Sequence, residues 1–79
     1  MSPTILKVGR YRFFFNSREE RRRHVHVSTA DGTAKFWLEP EVALASSYNL
    51  SEKDVRAIEA LVKERQEVFN AAWNRHFTQ

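Results

Sequence analysis

A chain of 79 residues with a net charge of +3 has room for one domain, near the lower size limit for folding on a single core. It has no cysteine, which excludes a disulfide framework and a thiolate metal site; six Phe, two Trp and two Tyr supply large buried area instead. No run approaches the roughly 18 apolar residues of a membrane span and residues 1–9 lack a signal-peptide core, so a cytoplasmic, reducing location is the default expectation.

In chain order, TILKV (4–8) reads as a short strand that breaks at Gly9. YRFFFN (11–16) is rich in strand-forming aromatics and runs into the turn-prone pair Asn16-Ser17. Residues 18–23 form a charged connection. HVHVST (24–29) opens with strict alternation, the period of a half-buried strand. Asp31-Gly32 signals a hairpin before a fourth strand over 33–39. The connections are too short for parallel crossovers, so the four strands form an antiparallel meander. Pro40 stops the fourth strand and suits the first turn of a helix over 40–47. Ser51 is an N-cap with Asp54 at N3 and a Leu50–Val55 staple, and it opens a long helix over 52–77. Val55, Ile58, Leu61, Val62, Phe69, Ala72 and Trp73 mark its apolar face. Glu52–Arg56 and Glu59–Lys63 are favourable pairs elsewhere on it. The expected fold class is α+β: a four-stranded meander, a short helix and a long C-terminal helix packed on one sheet face.

Charge is distributed unevenly. Residues 1–50 carry eight Lys or Arg against five Asp or Glu, whereas residues 51–79 carry five of each. Four of the arginines fall within 18–23, a local cluster suited to nucleic acid or an acidic protein. The plain alternative is a charged, solvated loop.

Residues two apart on a strand share a face. With Val25 and Val27 in the core, His24 and His26 point outward. By the same rule Phe36 and Leu38 go inward while Lys35, Trp37 and Glu39 go outward; Tyr11, Phe13 and Phe15 share the core face, leaving Arg12 and Phe14 outside. The candidate surface is therefore Arg12, Phe14, His24, His26, Lys35, Trp37 and Glu39, beside Arg21, Arg22 and Arg23. A mixed aromatic and cationic patch of this kind is an interaction site. A second cluster, Trp73, His76 and Phe77, ends the long helix.

Three chemistries compete for the histidine pair. H-x-H on a strand can place two imidazoles on one ion, but a site needs a third ligand, which His76 or Glu39 could supply although nothing in their spacing requires it; neither metal nor cofactor is expected. As catalytic residues, His24 and His26 could move a proton on a phosphodiester held by the arginines. Binding is the third use: arginines on phosphates, with Phe14 or Trp37 stacked on an unpaired base. The plain alternative is that both histidines pack against sheet neighbours.

The segments GRYRFFFNSREE, HVHV, AKFWLEP, NLSEKDVRAIEALV and AAW with HF together resemble a small bacterial family called domain of unknown function 4160. The resemblance runs from about residue 3 to residue 77, and its most specific pieces are 11–15, 24–27 and 35–40. It implies one half of a two-gene module whose other half is a domain of unknown function 2442. It further implies that this chain is the toxin component of a type II toxin–antitoxin system, binding its cognate antitoxin directly. No catalytic residues come with the family. Many relatives carry proline or small residues before the histidines, where this chain has Arg21-Arg22-Arg23. The alternatives are a non-toxic nucleic-acid-binding accessory module, or a small RNase using His24 and His26.

Overall fold

The computed structural model of the chain describes residues 4–15 and 21–77; the expected turn at Asn16-Ser17 and positions 18–20 of the charged connection lie outside them. Five strands follow one another: β1 (Thr4–Val8), β2 (Tyr11–Phe14), β3 (His24–Ser28), β4 (Thr33–Trp37) and β5 (Ala43–Tyr48). They hydrogen-bond in that order, each pair antiparallel. The antiparallel meander is as expected from the sequence, with the ends of the first four strands within two residues of their expected places. The fifth strand is not.

Residues 40–47 do not form a short helix. Val42 is buried in the core, and Ala43–Tyr48 pair with β4 from Thr33↔Tyr48 to Trp37↔Ala43. Alanine favours helix on intrinsic propensity, but β4 would otherwise present an unpaired edge beside fully buried Phe36. Pairing and burial override so weak a preference. The second correction concerns the long helix. It is two helices, α1 (Glu52–Glu64) and α2 (Gln66–Phe77), broken at Arg65. A straight 26-residue helix would run about 39 Å, more than the 37 Å longest extent of the molecule. Phe69, Ala72 and Trp73 beyond the break are buried like Ile58 and Val62 before it, and Gln66 Nε2 donates to Leu38 O (3.2 Å) at the end of β4.

Helix initiation is local and as expected: Asp54 N donates to Ser51 Oγ (3.1 Å). Both i,i+4 pairs form, Arg56–Glu52 at 3.7 Å and Lys63–Glu59 at 3.5 Å. The Asp54 carboxylate binds outside the helix. It accepts from Arg10 Nη1 (3.1 Å) and Tyr11 OH (3.3 Å), while Arg10 Nη2 reaches Asp31 (2.9 Å). One guanidinium thus ties the β1–β2 turn to the β3–β4 turn and the start of α1.

Two glycines are required by geometry. Gly9 sits at φ +57° in the two-residue β1–β2 connection, where a Cβ would be strained. Gly32 closes the β3–β4 turn, in which Thr29 Oγ1 accepts from Asp31 N and Gly32 N. A Cβ on Gly32 would overlap Tyr48 O and stand 2.6 Å from Asn49 O. Gly32→Ala is expected to cost about 1–3 kcal/mol, lowering Tm by at least about 4 °C. An unchanged thermal melt would mean that the end of β5 yields freely.

The core lies between one sheet face and the helices. Phe13, Val25, Val27 and Phe36 from the sheet and Ile58, Val62 and Phe69 from the helices are completely buried. Phe13 and Phe69 meet with ring centroids 5.2 Å apart. Among the described residues no helix is long and apolar enough to cross a membrane. Among the described residues no helix covers the other face of the sheet.

Candidate functional site

Strand register assembles the helix-free face in rows. One row is Arg12↔Ser28, Ser28↔Thr33 and Thr33↔Tyr48; the next is Phe14↔His26, His26↔Lys35 and Lys35↔Ser46; the third is His24↔Trp37 and Trp37↔Ala43. None of these residues is acidic. Of the outward set inferred from alternation, Arg12, Phe14, His26, Lys35 and Trp37 therefore stand together on one surface.

Its aromatic groups are ordered by cations. Arg12 lies over the Phe14 ring with its Cζ 4.6 Å from the centroid, while its Nε donates to Thr4 Oγ1 (2.6 Å). Trp37 takes two cations, Arg22 Cζ at 4.2 Å and Lys35 Nζ at 4.5 Å from its centroid. Each contact orders a long side chain against a ring without neutralising its charge. His26 stacks on Phe14 across the strands, centroids 5.5 Å apart and planes 21° from parallel. Between them and β5 lies a shallow cavity of about 420 Å³, whose lining includes Phe14, His26, Thr33, Lys35, Ser46 and Tyr48.

The three consecutive arginines part company. Arg21 is exposed. Arg22 crosses to the open face, where its Nε donates to Glu39 O (2.8 Å) and its guanidinium covers Trp37. Arg23 serves as a strut: its Nη2 donates to Asn74 Oδ1 (2.7 Å) on α2, and its backbone N donates to Glu39 Oε2 (3.1 Å). Glu39 thus organises the arginine turn rather than standing in the ring surface.

His24 departs from the outward expectation. Its register is that of the open face, yet it is completely buried, with Trp73 at 5.1 Å, His26 at 5.3 Å and Trp37 at 5.7 Å between centroids. Its Nδ1 lies 2.6 Å from Arg22 O; a carbonyl only accepts, so Nδ1 carries the proton and donates. The ring holds the arginine turn in place, and only His26 of the pair reaches the surface. Trp73 of the expected second cluster is likewise core, packed on Phe15 and Phe77. Among the described residues no group of three or more His, Asp or Glu side chains is arranged to hold a metal ion.

The model of a domain of unknown function, DUF4160, matches residues 10–74. The chain belongs to the DUF4160 family. No curated protein and no solved structure matches it. The match to DUF4160 takes in every residue of the three rows and leaves β1 outside. The part of this DUF4160 surface that sequence reasoning missed is on β5, Ser46 and Tyr48. The alternation of Val42 and Leu44 with Ala43 and Ala45 could have signalled the strand, but continued it puts Ser46 and Tyr48 on the core face; the irregularity opposite Lys35–Phe36 moves them to the open one.

Proposed function

We propose that this DUF4160 protein is the toxin component of a bacterial type II toxin–antitoxin pair and that its open sheet face binds single-stranded RNA. The cognate antitoxin, a domain of unknown function 2442, would mask that face. The observation that carries the reading is a helix-free antiparallel sheet face bearing Phe14, His26 and Trp37, with Arg12, Arg22 and Lys35 laid against the rings and no acidic residue in the rows. Antiparallel sheets bind single-stranded RNA by stacking bases on exposed aromatics while cations take the phosphates. An acidic protein would use the cations but has less need of flat rings.

Binding is favoured over cleavage. A two-histidine phosphodiester mechanism needs both imidazoles within reach of the substrate, whereas His24 is buried and its Nδ1 is committed to Arg22 O. The RNase reading therefore requires the arginine turn to open. The non-toxic accessory module keeps the same surface and differs only in what binding does to the cell.

With a fluorescent single-stranded RNA, affinity should fall with salt at a log–log slope of roughly −2, as for about three phosphate contacts. Arg22→Glu/Lys35→Glu should abolish binding in a folded protein. Flat salt dependence, or undiminished binding by that variant, sinks the surface reading. Induction of the chain should arrest bacterial growth and co-expression of the neighbouring gene should relieve it; RNA binding with normal growth selects the accessory module.

A further inference from the structure

The two edges of the sheet are unlike. β1 carries Lys7, and Arg75 and His76 of α2 lie beside it, lining a cavity with Thr4 and Ile5. Charges of this kind block edge-to-edge pairing. β5, at the other edge, reads ALASSY, with no charge and no proline over six residues. Each edge strand has one irregularity, between Thr4 and Leu6 in β1 and opposite Lys35–Phe36 in β5. That is the only such protection within β5, and Ser46–Tyr48 beyond it pair regularly with β4.

Beside β5 runs a groove of about 290 Å³ lined by Leu44, Ser47, Leu50, Glu52, Val55 and Arg56. Leu44 is 43% exposed although its cross-strand partner Phe36 is completely buried. Leu50 and Val55 are partly buried against the core. An edge of unpaired backbone groups next to a half-covered apolar groove fits an added strand that brings its own apolar side chain.

We infer that the added strand is β5 of a second copy, paired antiparallel across a two-fold axis. Two features favour this occupant. A strand paired with itself about a two-fold places residues near the axis against their own kind, so any charge there would meet a like charge; β5 has none. The groove rim carries one acid and one base a helical turn apart, Glu52 and Arg56, with side chains 92% and 79% exposed. A two-fold sets Glu52 of each copy against Arg56 of the other, so the rim is complementary to itself. The product is a continuous sheet of two five-stranded halves, with both open faces on one side and Tyr48 at the seam. This interface adjoins the ring face along β5, but its test needs no RNA.

Sedimentation velocity over a concentration series is the test. The unmodified chain should show a reversible monomer–dimer equilibrium. Glu52→Arg and Arg56→Glu should each weaken the dimer about tenfold, the scale of two exposed ion pairs turned repulsive, and combining them should restore it. Leu44→Lys should give a monomer with an unchanged circular dichroism spectrum. A chain monomeric throughout the series overturns the inference. So does a dimer indifferent to both single reversals, which would be held by another surface.

Discussion

Replacing Phe13 by alanine is expected to remove about 3–5 kcal/mol of stability, the range for emptying a fully buried aromatic site. Phe13 has no exposed surface, lies opposite Val27 in the sheet and meets Phe69 at 5.2 Å, so its loss opens a void between β2 and α2 at once. Domains have roughly 0.05–0.15 kcal/mol of stability per residue, or about 4–12 kcal/mol at this length. The variant should therefore lose from about a quarter to all of its stability. Denaturant unfolding followed by tryptophan fluorescence measures it. A midpoint near that of the unmodified chain would show that α2 can collapse onto β2 and fill the space.

Replacing Phe14, the next residue, should do nearly the reverse. Its ring lies on the open face, partly exposed, in contact with the Arg12 guanidinium and the His26 imidazole. Alanine there leaves no enclosed cavity, and the stability cost should stay near about 1 kcal/mol, the worth of a cation–π contact and a partial stack. Affinity for single-stranded RNA should fall roughly five- to hundredfold, the equivalent of one lost base stack at about 1–3 kcal/mol. The thermal melt and the binding isotherm taken on one preparation separate the two effects. Full affinity in a folded Phe14→Ala protein would remove this ring from the proposed surface.

The contrast between neighbouring phenylalanines was legible in the sequence, because alternation along a strand assigns faces without knowledge of the fold. The same rule placed Arg12, His26, Lys35 and Trp37 correctly, and Asp31-Gly32 marked the hairpin that aligns β3 with β4. Two kinds of fact were not legible. β5 depends on what β4 needs beside it, and four of its six residues, alanine and serine, carry little strand preference. The break at Arg65 has no glycine or proline to announce it, and the apolar period runs on across it from Val55 to Trp73. The burial of His24 is of the same sort. It rests on Trp73, which returns to the strand from the far end of the chain, and no local pattern around His24 contains that information.

The order of elements has a consequence for synthesis. Every strand pairs with a neighbour in sequence, and both helices come after the last strand. A ribosome adding about 5–20 residues per second therefore completes the strands roughly one to six seconds before α2 is available. During that interval Phe13, Val25, Val27 and Phe36 lack their helical cover, and the ring face opposite already has all of its strand residues. The nascent sheet is for that time apolar on one side and basic on the other. It is then most exposed to the hydrophobic contacts from which holdase chaperones shield growing chains.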